Sequence, residues 1–442
     1  MMAAQASTSA STNGRIVTGT YSPDRRRGPS TSAMGSRRAA VVERRRWNAW
    51  AESNASMIVS AGTVLAPDRD LSPGYVVVEE GRIVRVAAGT PAPDAPGPAA
   101  AFPDGTLIPG LIDLQVNGGA GVDCLRCGPE GYEILGRYLA ATGVTAYLPT
   151  IVSAPLEEMR RAAACAGAAA ARRRPLPQIL GVHLEGPYLN PLRRGAHRAQ
   201  DLRHPSVSEI EETHRRAGGL LRMVTLAPEL EGAEAVVRRL AAEHVIVSIG
   251  HTDATADEVA AAAAWGARMV THVFNAMRGF HHREPGAAGA ALLTPTLTLG
   301  VIADFVHLHP AAIQLIARVA GPIRVALVTD AISAAGMGRG SFTLGAQSVD
   351  VRDGVARLAD GTLAGSVLAM IRGVHNFARA ASVGLREAVQ CATLVPARLL
   401  GLSRKGRIAA GCDADLVVLD REGDVALTLV SGEVAFRRGA RG

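Results

Sequence analysis

Polar residues recur at the ends of short apolar runs through the middle of this 442-residue chain. Gln115 and Asn117 follow Leu111-Ile-Asp-Leu, and His183 and Glu185 close the run Ile179–Glu185. His251 follows Val245–Gly250, His272 follows Met269–Thr271, His307 follows Ile302-Ala303-Asp304, and Asp330 follows Val325–Thr329. A single His in such a place is ordinary. A Glu, several His and an Asp on separate runs are hard to explain as packing. Glu185, His251 and His272 offer one carboxylate oxygen and two imidazole nitrogens, a donor set that suits Zn²⁺ with water in the fourth place. Fe²⁺, Mn²⁺ or Co²⁺ accept the same donors. A bound divalent ion lowers the pKa of its water and polarises a carbonyl. Asp330 then has the chemistry of a general base.

Other polar residues invite plainer readings. Asp113 and Asp304 read as structural, His204, His214, His244 and His375 as surface residues, and His281 and His282 as solvated loop residues. Cys124 and Cys127 form one CxxC, but a four-thiolate zinc site needs a second pair. The five Cys are an odd, scattered set, which argues against a disulfide framework and for a reducing compartment, the cytoplasm.

These side chains need a scaffold that brings strand ends together. Between about 107 and 401, continuous apolar runs alternate with Ala-rich helical stretches: Pro129–Ala141, Leu156–Ala171, Ala254–Trp265 and Pro310–Ala320. Such alternation implies a parallel sheet with crossover helices. Seven or eight units in this length fit a (β/α)₈ TIM-like barrel, whose active sites lie at the C-terminal strand ends. A doubly wound sheet is the alternative. Gly118-Gly119-Ala120-Gly121 lacks the following helix and the Lys-Ser/Thr ending of a phosphate loop.

Both chain ends are β-rich. Gly74 to Ala88 reads as a hairpin, a Pro/Ala/Gly-rich linker follows from Gly89 to about Pro103, and further β runs lie at Ala414–Asp420 and Val425–Phe436. The expected domains are a small β-sandwich from 57–108 and 402–442, and a barrel at 109–401. Residues 1–56 carry nine Arg against Asp24, Glu43 and Glu52, hence most of the net charge of +7. They read as a disordered, dispensable Arg/Ser-rich extension. The remainder is near neutral, so the basic balance does not imply nucleic-acid binding. No apolar run is long enough for a membrane span. Lys405 is the one Lys, so a carboxylated Lys cannot bridge two metals inside the barrel.

The chain resembles the N-acetylglucosamine-6-phosphate deacetylases of the amidohydrolase superfamily over about 57–442. The resemblance rests on Pro109-Gly-Leu-Ile-Asp-Leu-Gln-Val-Asn-Gly118, His183-Leu-Glu-Gly-Pro187, Gly195-Ala-His197, Gly250-His-Thr252, Thr271-His-Val-Phe-Asn-Ala-Met277, Arg283-Glu-Pro-Gly286, Val328-Thr-Asp330 and Gly361-Thr-Leu-Ala-Gly-Ser366. It implies metal ligation by Glu185, His251 and His272, and acid/base work by Asp330. It also implies carbonyl polarisation by His197, and substrate contacts at Ala196, Asn275, Ala276, His307, Leu363, Ala364 and Gly365. Arg283 matches an Arg that reaches the sugar phosphate bound by the neighbouring subunit, which implies a homodimer. Where many amidohydrolases have His-x-His, this chain has Gln115-Val116-Asn117. Amides are poor zinc ligands, so one divalent ion per subunit is expected, Zn²⁺ first. Two rivals remain: the same reaction on a related N-acyl amino sugar such as N-acetylgalactosamine 6-phosphate, and a non-catalytic sugar-phosphate-binding barrel.

Overall fold

Eight parallel strands form the centre of the molecule. Leu111–Val116 pairs with Val144–Val152, which pairs with Val182–Glu185. Pairing continues through Leu221–Leu226, Ile246–Ile249, Met269–Val270 and Thr298–Val301 to Val325–Leu327. The last strand returns to the first. Asp330 N donates to Gln115 O at 2.9 Å, and the Asp113 carboxylate accepts from Thr329 Oγ1 at 2.6 Å and Thr329 N at 3.2 Å. Asp113 is thus the structural residue expected from the sequence, a buried clasp between the first and last strands. The computed structural model describes residues 56–92, 99–172 and 175–439. The expected disordered extension lies, apart from Ser56, outside the described residues.

Every residue of Val144–Val152 is buried, as a barrel strand covered on both faces requires. Alternate residues then explain the site. Along the strands, Ala146 and Leu148 precede Thr150, Met223 precedes Thr225, Met269 precedes Thr271, and Val328 precedes Asp330. The apolar members of these series pack with one another in one core cluster. The interior therefore changes from apolar to polar toward the C-terminal strand ends. Crossover helices at Gly131–Ala141, Leu156–Ala170, Ala256–Trp265 and Pro310–Ala320 fall within two residues of the expected limits. Ala256–Trp265 starts on a capping box in which Thr255 and Glu258 satisfy each other's backbone N–H groups.

The two chain ends share one eight-stranded sheet. Ala99–Pro109 runs parallel to Met57–Leu65 on one side and antiparallel to Leu416–Leu419 on the other. The sheet folds back on itself: Ile83 N donates to Cys412 O at 2.9 Å, and Ala414 N donates to Gly81 O at 2.8 Å. The β-rich region expected from the two termini is therefore one sheet to which both chain ends contribute. Lys405 sits at its base, with Nζ 2.5 Å from Asp415 and 3.2 Å from Asp413. The sole Lys is therefore a buried ion-pair partner in the sheet region.

Two expectations are corrected. The supposed linker to about Pro103 is already strand from Ala99, because the alanines pair directly with Ile58–Ser60. An unforeseen antiparallel sheet, Gly340–Leu344, Gln347–Arg352 and Val355–Arg357, follows the last barrel strand. Its signals were local: the alternation of Ser348-Val-Asp-Val-Arg352, and the Asp353-Gly354 turn. Among the described residues, no helix is long and apolar enough to cross a membrane.

Candidate active site

Glu185 is the last residue of its strand, while His251, His272 and Asp330 stand two or three residues beyond theirs. The latter three have positive φ, 50°, 25° and 50°. A non-glycine residue in this region costs on the order of 1–2 kcal/mol, so three together at one barrel mouth mark a site held in place by its surroundings. The backbone reverses sharply there, and each side chain turns inward.

The result is a nearly equilateral triangle. Glu185 Oε1, His251 Nε2 and His272 Nε2 are each 3.2 Å from the other two. All three residues are buried. His251 Nδ1 donates to Arg193 O at 3.0 Å, so in the neutral ring Nε2 offers a lone pair toward a carboxylate oxygen. Electron pairs converging this way need a positive centre between them. Edges of this length fit ligand atoms around a tetrahedral ion with bonds of about 2.0 Å, the zinc range. The donor set fits a divalent metal. Among the described residues, no other group of three His, Cys, Asp or Glu side chains is close enough to do so.

Asp330 faces this triangle through two amides. Asn117 Nδ2 donates to Asp330 Oδ1 at 2.6 Å, and Gln115 Nε2 donates both to that oxygen, at 3.0 Å, and to Glu185 Oε1, at 2.9 Å. Both amides therefore act as donors to carboxylates. Their own oxygens are buried without a partner among the described residues. Burial, then the charge of Glu185, pushes the Asp330 carboxyl up to about 6. Burial acts on Glu185 in the same direction, but the neighbouring imidazoles of His251 and His272 outweigh it and hold that carboxyl well below the usual range. Two carboxyls in one pocket are thus pushed apart, one poised for proton transfer and one kept ionised.

His197 comes from the loop after the third strand. Its ring packs edge-on to His251, with centroids 4.6 Å apart, and its Nδ1 accepts from Ser153 N at 3.3 Å. In a neutral ring the proton is then on Nε2. Burial, followed by the charge of His251, lowers its pKa to about 3, so the ring is a neutral donor. Gly195, two residues earlier, has φ of 55°, and a Cβ there would lie 3.2 Å from His251 Cε1. Glycine avoids both the left-handed strain and this crowding against the imidazole.

The remaining sequence-derived candidates divide by position. Asn275 and Ala276 lie in the turn after His272: Asn275 Nδ2 donates to His272 O, and Ala276 O accepts from Thr252 N. Ala364 is buried, and Gly365 abuts Asp330, where a Cβ would meet Asp330 O at 2.7 Å. Leu363 bridges to Arg357 of the small sheet. Ala196 O accepts from Gln347 Nε2 at 3.3 Å, so that sheet reaches the mouth of the site, a contact that sequence reasoning missed. His307 Nδ1 donates to Asp304 Oδ2 at 2.7 Å. Arg283 is exposed, its N–H donating to His281 Nδ1. His183, two residues before Glu185, stays out of the triangle, and its ring bonds Leu114 O and Thr225 Oγ1. The five cysteines are free thiols, none of them in this group.

This geometry has known counterparts. The amidohydrolase family model matches residues 106–435. The chain belongs to the amidohydrolase family. It is 39% identical over 331 residues to N-acetylglucosamine-6-phosphate deacetylase of Vibrio furnissii, covering 75% of this amidohydrolase and 83% of that protein. It is also 39% identical over 330 residues to N-acetylgalactosamine-6-phosphate deacetylase of Escherichia coli O157:H7, covering 74% and 87%. A mutant of N-acetyl-D-glucosamine-6-phosphate deacetylase from Mycobacterium smegmatis, solved in complex with N-acetyl-D-glucosamine-6-phosphate, superposes with a TM-score of 0.81 at 36% identity, covering 86% of this chain and 99% of that one.

Proposed function

We propose that this amidohydrolase removes the acetyl group of N-acetylglucosamine 6-phosphate, giving glucosamine 6-phosphate and acetate in amino-sugar catabolism. The observation that carries the reading is the Glu185–His251–His272 triangle with Asp330 bonded across it, in a chain whose relatives are deacetylases of this substrate class. Glu185, His251 and His272 hold one divalent ion, Zn²⁺ by preference, which supplies Lewis-acid polarisation and eases ionisation of water. Asp330 takes a proton from the attacking water. Its Oδ1 is held by two amides, which leaves Oδ2 to carry that proton. His197 donates from Nε2 to the acetyl oxygen as negative charge develops there. Asp330 then returns the proton to the leaving nitrogen, and acetate departs.

Asn275, Ala276, His307 and the backbone at Ala196 and Leu363–Gly365 contact the sugar. Arg283 grips the phosphate bound by the other subunit of a homodimer, where a guanidinium fork gives its strongest bonds. The working compartment is the cytoplasm. The 39% identity to the galactosamine-type relative keeps the epimer as a second reading. Acetate release from both sugar phosphates, measured side by side, tests the proposal. Faster turnover of the galacto compound would select the second reading, and release from neither would reject both.

A further inference from the structure

Asp304 precedes His307 by three residues, in the loop after the seventh barrel strand, Thr298–Val301. Its two oxygens do different things. Oδ1 accepts the backbone N–H groups of Val306 and His307, each at 2.8 Å. Oδ2 accepts the Nδ1–H of His307 at 2.7 Å. The first pair of bonds makes a turn that Asn would make equally well. The second bond distinguishes Asp from Asn, since a carboxylate cannot donate and the imidazole against it must carry its proton on Nδ1. Helix Met370–Ala381 pins the same loop: Asn376 Nδ2 donates to Ala303 O at 2.8 Å, and the Arg379 guanidinium lies 4.9 Å from the Phe305 ring centroid. His307 is left with 6% of its side chain exposed, and among the described residues nothing bonds its Nε2.

We propose that Asp304 is a positioning residue for substrate: it fixes the tautomer and ring plane of His307, so that Nε2 faces the cleft as an acceptor for a sugar hydroxyl. The assignment of that hydroxyl rests on the deacetylase reading, whereas the tautomer does not. The turn and the pinned loop hold the main chain, so the carboxylate is free to act on the ring alone.

The test uses protein labelled with ¹⁵N-histidine, with His307→Gln to identify the His307 signals, in alkaline buffer where imidazole is neutral. Wild-type His307 should be protonated on Nδ1. In Asp304→Asn, Oδ1 keeps the turn while an N–H group replaces Oδ2, and the ring proton should move to Nε2. KM for N-acetylglucosamine 6-phosphate should then rise about tenfold with kcat changed less than about threefold, as loss of a ground-state hydrogen bond requires. A wild-type ring protonated on Nε2 would overturn the proposal, as would a tautomer that Asp304→Asn leaves alone, or a switched tautomer with KM unchanged. The wild-type spectrum decides the first point even if the variant does not fold. A tautomer that switches in a protein releasing no acetate would refute the deacetylase reading and leave the Asp304–His307 pairing standing.

Discussion

Asn117 Nδ2 lies 2.6 Å from Asp330 Oδ1, although the two residues are 213 positions apart in the chain. This bond places an amide where many amidohydrolases have a metal-binding imidazole, and directs it at the carboxylate proposed to transfer the proton. Asn117→Leu removes a charge-assisted bond of about 1.5–3 kcal/mol. We expect kcat to fall about 10–100-fold with little change in KM. Steady-state kinetics check this, and an unchanged kcat would show that Gln115 alone holds Asp330.

One metal ion should bind per subunit. Gln115 and Asn117 offer amides where a second ion would need imidazoles, and their nitrogens are spent on the carboxylates of Glu185 and Asp330. Elemental analysis of purified protein should approach one equivalent, and His272→Gln should lose most of it. Two equivalents at full activity would contradict this.

Asp113 sets a pH dependence of stability. Burial, opposed by hydrogen bonds from Thr329 and Gln115, raises its pKa to about 7. A carboxyl whose folded pKa is raised adds stability that is fully present below its unfolded value and is lost as pH rises through about 7. Asp113→Asn should flatten this loss, which amounts to at most a few kcal/mol at about 1.4 kcal/mol per pKa unit. Urea titrations of both proteins at mildly acidic and mildly alkaline pH measure it. Parallel losses in the two proteins would assign the effect to other groups.

Arg283 should act on the neighbouring site. It is exposed, and Glu284, the acidic neighbour best placed to claim it, instead accepts from the N–H groups of Ala256 and Gly286. Arg283→Ala should cost on the order of 2–4 kcal/mol in kcat/KM, and far less with the unphosphorylated sugar. Mixing Arg283→Ala with Asp330→Asn chains gives a mixed dimer. If Arg283 serves its partner, one site carries both defects and the other none, so activity partly returns. No recovery would place Arg283 in its own subunit's site.

The sequence by itself determined what local patterns encode. Apolar runs and Ala-rich stretches have the periods of strand and helix, so the barrel and its helices were legible within a few residues. The donor set was legible too, because in a parallel barrel the C-terminal strand ends must converge, and Glu185, His251, His272 and Asp330 all stand there. The small sheet at Gly340–Arg357 was missed, since its strands are short and half exposed and carry only a weak alternating signal. Tertiary structure alone decided the rest. The 3.2 Å triangle depends on positive-φ turns at His251 and His272, which no propensity marks. The tautomers of His251, His197 and His307 are set by Arg193 O, Ser153 N and Asp304, of which the first two are backbone groups at which any side chain could stand. Gln115 meets Glu185 and Asp330 across 70 and 215 positions. Hydrogen bonds of that kind depend on where two chains pass in space, and only barrel closure brings them within reach.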